Sequence, residues 1–313
     1  MKYRNKIMPA ILALMAVVSS CTKEELPSAA QDNTDIHITA QVGKTVTRVQ
    51  QTSDNVYVFE KNDTLAVLGW YGADWNTYPT PWSDANAKWW INSLCVNNGA
   101  KWVSTPQMRW QNVPDPHHFL AWWPSTFTNA GDNLTEVKVD MNKLKEKDVL
   151  VARLSTVPTP GTPINLQFEH IMARFDVNLT FAEQYDIYNN VKVSLDLQTN
   201  ATVDLVAATN PVIVAGGAKT TETMPAIATK TGFDYSCSSI VVPQSLTNPV
   251  VTIKFQNGTA KTLTYTHPAF LFESGKRTTL NLSVGRDYVN VVDVTVTPWV
   301  DGGNIGNDEN MAE

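Results

Sequence analysis

From residue 36 onward, apolar and polar residues alternate along the chain in short runs. This period of two places successive side chains on opposite faces of a strand, whereas an amphipathic helix repeats its apolar positions every three to four residues. Proline, glycine, asparagine and aspartate separate the runs, as they do between strands. The pattern therefore predicts an all-β protein. The clearest predicted strands cover residues 36–42, 164–168, 175–181, 191–197, 251–255, 280–284 and 292–296.

Each predicted strand has one apolar face and one mostly polar face, which is typical of antiparallel sheets with one side on a core and the other in water. The body contains more strand than one ordinary sandwich needs, so we predict two tandem β-sandwiches of transthyretin-like or Greek-key topology. Several prolines and Gly161 place the joint between residues 155 and 170. The expected segments are a signal peptide at 1–20, a tether at 21–35, sandwiches at 36–160 and 161–300, and a polar tail at 301–313.

The first residues have the pattern of an export signal. Three basic residues precede an apolar run at 7–18, which is too short to anchor the chain across a bilayer. Ser19 and Ser20 lead directly into Cys21, and this order resembles the lipobox of bacterial lipoproteins. The resemblance implies that Cys21 is the first mature residue and carries acyl chains such as palmitate. An ordinary cleaved signal followed by an incidental cysteine is the alternative.

Acylation of Cys21 implies a location at the cell outer membrane, with lipid and the lipoprotein export machinery as partners. The sequence Lys23-Glu24-Glu25 resembles the surface-export tag of Bacteroidetes lipoproteins, so we expect the chain to face outward. A solvated tether is the alternative interpretation of these charges.

Composition excludes several functions. The net charge is −6, with 24 Lys and Arg against 30 Asp and Glu, so nucleic acid is not an expected partner. The chain has only three cysteines, and we expect Cys95 and Cys237 to be separate buried thiols. Motifs for nucleotide binding, for a nucleophile elbow or for a zinc protease do not occur in the sequence, so we predict neither an enzyme nor a cofactor.

Nine of the ten tryptophans fall between Trp70 and Trp123. Exposed indoles can serve as platforms for sugar rings, and this favours a glycan-binding surface; core packing and cross-strand pairing explain many of the same residues. Trp122 and Trp123 are adjacent in a predicted strand, so only one of them would be buried on a one-sided core. The candidates for a ligand surface are Trp75, Trp82, Trp89 and Trp110.

Histidines offer a weaker signal. Asp115, His117 and His118 form the densest cluster of potential metal ligands, but neighbouring histidines in a strand diverge and the spacing supplies no third or fourth ligand. We therefore expect a loop there and predict no metal site. His170 is expected to be a core or turn histidine with satisfied hydrogen bonds.

Several segments, in this order, resemble the fimbrillin family, the pilins and accessory subunits of the Bacteroidetes type V pilus. They cover nearly the whole mature chain. They are the lipobox at Cys21, Thr47-Arg48, 63–71, 119–124, 148–152, 166–174, 240–244, 274–276 and 294–299.

The resemblance implies a mechanism of assembly. In polymerising fimbrillins an arginine-directed protease removes the first strand, and a strand from the neighbouring subunit fills the groove that is left. In this chain the cleavage would fall between Arg48 and Val49 and release 36–42; a surface arginine at a strand end is the alternative interpretation of Arg48. The run 289–296 is a candidate donor strand, and the last strand of its own domain is the alternative. The implied partners are other pilin subunits, and host or bacterial surface glycans or proteins. A monomeric, glycan-binding surface lipoprotein that uses the tryptophan-rich region is the alternative.

Overall fold

A computed structural model describes residues 34–43, 59–79, 90–128, 133–144, 148–182 and 189–299. From Thr34 onward the chain belongs to one compact unit. The all-β prediction is confirmed, and each of the seven clearest predicted strands is a strand of the structure. Cys21, Arg48, Val49, Trp82, Trp89 and the tail 301–313 lie outside the described residues.

The described residues form eighteen strands and two short 3-10 helices, Trp75–Thr77 and Ser125–Phe127. The strands are β1 (Ile38–Val42), β2 (Thr64–Tyr71), β3 (Ile91–Asn97), β4 (Trp102–Thr105), β5 (His117–Trp123), β6 (Val137–Asp140), β7 (Leu150–Thr156), β8 (Ile164–His170), β9 (Ala173–Phe181), β10 (Asn189–Asp204), β11 (Val212–Thr223), β12 (Tyr235–Val241), β13 (Gln244–Thr247), β14 (Val250–Asn257), β15 (Thr259–Thr266), β16 (Ala269–Phe272), β17 (Lys276–Val284) and β18 (Val289–Pro298).

These strands assemble into four sheets within the described residues. A seven-stranded sheet has the order β1-β8-β7-β5-β2-β3-β4, and a four-stranded sheet has the order β12-β9-β17-β18. A five-stranded sheet has the order β11-β10-β14-β15, with β6 also paired to β10, and β13 pairs with β16. Two of the pairings, β1 with β8 and β9 with β17, are parallel. The other strand pairings within the described residues are antiparallel, as the alternation indicates.

Three apolar clusters fill the space between the sheets. We call the cluster on one face of the seven-stranded sheet the barrel core; it includes Phe119 and Phe168. The middle core lies on its other face and also takes residues from β6 and β10. The sandwich core lies between the four-stranded and five-stranded sheets and includes Phe175 and Phe270.

Because cores cover both faces of the seven-stranded sheet, its central strands have no wet face. Trp122 of β5 is buried in the middle core, while Trp123 packs against the barrel core on the opposite face. β2 and β5, which are not among the seven clearest predicted strands, have almost all of their residues buried.

β10 contributes to two of these cores. Val193, Leu195 and Leu197 in its first half belong to the sandwich core. Ala201 and Val203 in its second half belong to the middle core. A single strand of 16 residues therefore joins the two cores.

The proline-rich segment connects β7 to β8 within the seven-stranded sheet, and β8 pairs with both β7 and β1. The chain leaves this sheet after His170 and enters the four-stranded sheet at Ala173. The division into domains at 36–160 and 161–300 stays a prediction.

The outward side of β9 carries a buried charged group. The Asp176 carboxylate accepts hydrogen bonds from Arg174 Nε at 2.8 Å, from Lys230 Nζ at 2.9 Å and from Ser238 Oγ at 2.6 Å. Burial alone would raise the pKa of the Asp176 carboxyl, but the charges of Arg174 and Lys230 and the hydrogen bonds outweigh it and hold the pKa below its ordinary value. The four-stranded sheet is thus held by a paired charge on one face and by an apolar core on the other.

Candidate functional site

The first strand occupies an edge of the seven-stranded sheet. β1 runs parallel to β8, with Ile38 beside Ile164 and Val42 beside Phe168. Two further backbone bonds frame this ladder: Ile164 N–H donates to His37 O at 2.9 Å, and Gly43 N–H donates to Phe168 O at 2.9 Å. β1 is therefore bonded along its whole length on the side of β8.

The residues just before β1 are bonded on the other side as well. Ile36 N–H donates to Met108 O at 2.9 Å, and Trp110 N–H donates to Thr34 O at 2.8 Å. We call this antiparallel pairing of 34–36 with 108–110 the clasp. Because 108–110 follows β4, at the far end of the strand order, the clasp closes the seven-stranded sheet around the barrel core.

Apolar side chains fix the same segment from within. Ile36 and Ile38 are buried in the barrel core, and Ala40 and Val42 pack against it. Burial of one isoleucine side chain stabilises a fold by roughly 1.5–3 kcal/mol. The segment 34–42 thus supplies both backbone pairing and apolar contacts, although it is remote in sequence from its partners.

A small cavity of about 50 Å³ lies beside this segment, and its lining includes Ile36, Ile38, Cys95 and Met108. Removal of β1 would therefore leave a slot with unpaired backbone groups on the edge of β8 and apolar walls inside. A slot of this kind can bind an extended strand with alternating apolar side chains.

An exposed ion pair lies at the clasp. Arg109 Nε is 3.0 Å from Asp35 Oδ1, and both side chains are well exposed. Such pairs contribute about 0–1 kcal/mol to stability, so backbone hydrogen bonds and apolar burial stabilise the position of the segment more than this pair does.

Sequence reasoning missed the clasp. The only signal for it was the alternation Met108-Arg109-Trp110, in which Met108 and Trp110 face the core and Arg109 faces solvent. Three residues are too few for a period of two to be distinguished from chance.

Trp75 and Trp110, the two predicted ligand tryptophans that the structure describes, differ in burial and contacts. Trp110 is buried in the barrel core, which leaves its indole no open face for a sugar ring. Trp75 is half-buried: its Nε1–H donates to Val206 O at 3.2 Å, and the Arg153 guanidinium lies 4.0 Å from its ring centroid. Packing thus accounts for Trp110 and for most of Trp75, while the other two candidates lie outside the described residues. The glycan surface stays a prediction.

His117 and His118 begin β5, so the expected loop at this cluster is wrong for these two residues. Aromatic rings surround His117. The ring lies 4.7 Å from that of Trp90 and 5.3 Å from that of Trp110, between centroids, and His117 Nδ1 is 3.0 Å from Asp115 O. Burial lowers the pKa of His117 below its ordinary value, because a charged imidazole would lose its hydration there. His117 packs against the clasp through Trp110.

His118 and His170 also have structural partners. His118 Nδ1 is 2.7 Å from Ser155 Oγ, and His118 Nε2 is 3.2 Å from Gly72 O. His170 Nδ1 is 2.9 Å from Asp148 Oδ2, and its ring stacks on that of Trp299 at 3.9 Å, so His170 is the core histidine that was expected. Among the described residues, no group of three or more His, Cys, Asp or Glu side chains could hold a metal ion.

Both cysteines within the described ranges are buried and free, as predicted. Burial raises the pKa of Cys95 and of Cys237 to about 12 in each case. Neither thiol is therefore reactive at neutral pH. None of the helices in the described part of the chain is long and apolar enough to span a bilayer.

Comparison with known families identifies one match over most of the chain. A family model described as fimbrillin-like matches residues 47–299. The match begins beyond β1, so it includes the slot but not the strand that fills it. No protein of curated function is significantly similar to the chain in sequence.

Solved structures of similar fold come from Bacteroidetes. A candidate cell adhesion protein from Bacteroides ovatus is 18% identical, with a TM-score of 0.60, and the match covers 85% of this chain and 98% of that one. A second, from Bacteroides uniformis, is 16% identical, with a TM-score of 0.59 and coverage of 85% and 99%. A third, from Parabacteroides distasonis, is 10% identical, with a TM-score of 0.50 and coverage of 86% and 98%. At these identities the likeness shows a shared fold.

Proposed function

Because the chain belongs to the fimbrillin-like family, whose members are structural rather than catalytic proteins, we propose that it is a surface-exposed fimbrial subunit that accepts a strand from a neighbouring subunit. One observation carries this proposal. The segment 34–42 is an edge strand that completes a core built almost entirely by other parts of the chain.

The geometry suits an exchange of strands. When 34–42 leaves, the ladder with β8 and the clasp are broken. The slot that remains offers unpaired backbone groups and apolar pockets to another strand. A donor strand from another pilin subunit would restore the ladder and refill the positions of Ile36 and Ile38. The affinity would come mainly from backbone hydrogen bonds, and the specificity from the apolar pockets.

Export and processing precede this step in the proposal. Cys21 is acylated, attaches the chain to the outer membrane and presents the body to the outside. Cleavage between Arg48 and Val49 then cuts the covalent link between 34–42 and the rest of the fold. The family match begins at residue 47, close to this point, which supports a body that functions without its first strand.

The chain is better suited to accept a strand than to donate its last one. β18, the candidate donor, pairs with β17 from Val289 to Pro298 and packs against the sandwich core through Val289 and Val294. To act as a donor it would first have to leave this ladder. The proposal therefore favours an accessory or terminal subunit whose slot is filled from outside.

Mass and N-terminal sequence of the protein from intact cells test the proposal. We expect the material sheared from the cell surface to begin at Val49, and the material retained in the membrane to begin at acylated Cys21. The variant Arg48→Ala should remain whole and membrane-bound, and Arg48→Lys is the matched control for an arginine-directed protease, since it keeps the charge but removes the guanidinium.

The proposal fails if wild-type and Arg48→Ala chains give the same N-terminus in sheared, polymeric material. It also fails if the cleaved chain, freed of 34–42, binds no strand from another subunit in that material.

A further inference from the structure

β11 lies at an edge of the five-stranded sheet. β10 pairs with it from Val212 to Thr223, and within the described ranges no strand pairs with its other side. The open edge is 12 residues long. Free N–H and C=O groups along such an edge attract a further strand.

Contacts limit access to several of the other sheet edges. The clasp joins the residues just before β1 to the segment just after β4. β15 contacts β18, and Lys261 of β15 reaches the loop before β18, where its ammonium donates to Asp287 Oδ1 at 2.6 Å. In the described part of the chain, β11 has no comparable cover. The side chains of Val212 and Val214 are 51% and 61% exposed, and residues 212–218 include no charge to discourage pairing.

A β-bulge lies in the middle of β11. The register with β10 shifts between Gln198 and Asn200, so that Gly217 and Ala218 together face the single residue Thr199. Gly217 has a φ of +79°, which a glycine adopts without strain.

The bulge divides β11 into two equal halves, 212–216 and 219–223. The extra residue also reverses the alternation, so Val214 before the bulge and Thr221 after it lie on the same outward face. If the direction of β11 is reversed by a two-fold rotation, the outward-facing residues of its second half therefore take the positions of the outward-facing residues of its first half.

We propose that β11 pairs antiparallel with β11 of a second copy of this chain, about a two-fold axis at the bulge. In this register Val212 faces Thr223 of the second copy, and Val214 faces Thr221 of the second copy. Both pairs join β-branched residues, which suit cross-strand contact.

The third outward-facing pair also fits. Lys219 faces Gly216 of the second copy, which has no side chain to obstruct the lysine. The ten residues outside the bulge give about ten backbone hydrogen bonds across the axis, as many as a typical protein interface contains. Because the axis is two-fold, the pairing closes on itself as a dimer and does not continue into a fibre.

Disulfide cross-linking of the full-length chain on cells tests this register. We expect Val214→Cys and Thr221→Cys, co-expressed as two single variants, to form a disulfide-linked dimer. Each variant alone should give little dimer, because equivalent positions in the two copies then lie about 20 Å apart. Cys95 and Cys237 are buried, so the native thiols of the body should contribute no background.

The pair Val212→Cys and Thr223→Cys tests the same register independently, since Thr221 Oγ1 also bonds to Asp196 at 2.6 Å. Val292→Cys on β18, where the side chain is 64% exposed, is the matched control and should not cross-link with Val214→Cys. The proposal is overturned if neither designed pair yields dimer, if Val214→Cys alone dimerises as readily as the mixture, or if the linked product contains a different protein.

Discussion

The barrel and sandwich cores are completed in different ways. The barrel core takes Ile36 and Ile38 from a strand that enters from far away in sequence and lies at a sheet edge. Among the described residues, the sandwich core is built from residues within 173–289 and from Val294, and its sheet carries the buried Asp176 group on its outer side. The barrel core thus includes a strand that is distant in sequence, whereas the sandwich core is formed by one continuous part of the chain.

This difference decides where the proposed strand exchange would take place. The first strand is held by one parallel ladder, a three-residue clasp and two buried isoleucines, and under the proposed function another strand of similar pattern replaces it. The buried Asp176 carboxylate pairs with two cations, Arg174 and Lys230. Removal of one of these three groups leaves a buried charge without its partner, which destabilises the fold.

The largest expected effect breaks the sandwich. Asp176→Asn removes the charge that pairs with Arg174 and Lys230, and we expect the free energy of unfolding to fall by about 3–5 kcal/mol. Urea denaturation measures the loss. Asp293→Asn is the matched control, since Asp293 is exposed, and it should cost below about 1 kcal/mol. Equal effects of the two substitutions would contradict the distinction between the two regions.

A smaller effect should loosen the barrel alone. Ile38→Ala shortens a side chain buried in the barrel core at a sheet edge, and we expect a loss of about 2 kcal/mol. Amide hydrogen exchange of β1 and β8 should rise, while that of β9 and β17 should stay as in the wild type. Gln41→Ala, on the exposed face of β1, is the control. A uniform rise in exchange across both sheets would argue against a separable first strand.

As the pH falls, the barrel should lose stability before the sandwich does. Burial lowers the pKa of His117. The contribution of neutral His117 to the free energy of unfolding is therefore complete above about pH 6.5 and is lost as the pH falls below that value. The pKa of Asp176 is held low, so its contribution is complete above about pH 4 and is lost only below it. Hydrogen exchange between pH 7 and pH 3 should therefore show the barrel loosening first. His117→Gln should remove the first step and leave the second in place.

The smallest effect concerns the clasp. Arg109→Ala removes the exposed pair with Asp35, and we expect a loss of about 0–1 kcal/mol that disappears in high salt. Exchange at the Ile36 amide in low and high salt measures it. A loss as large as that of Ile38→Ala would mean that charge, rather than packing, holds the first segment.

The sequence predicted individual strands better than their partners. Runs such as 175–181 and 280–284 alternate over enough residues to define a strand, and both appear in the structure. The pattern of one strand cannot show whether its polar face meets water or another layer. Asp176 lies on the predicted polar face of 175–181, yet Lys230 and Ser238 cover it.

The candidate site was predictable in part. The buried positions of 36–42 follow from their alternation, and the family resemblance, now confirmed, suggested their role. The clasp could not be foreseen, because it depends on the return of 108–110 to the start of the chain through a closed sheet. Closure is a property of the register of all seven strands, and no local pattern encodes it.

β10 has a mechanical consequence. Its 16 residues span about 50 Å, and its neighbours bond to it along its sides. A pulling force along this strand loads many lateral hydrogen bonds in shear at the same time, so the force on each bond is small. In a subunit under tension, β10 would therefore carry load between the middle core and the sandwich core, to both of which it contributes.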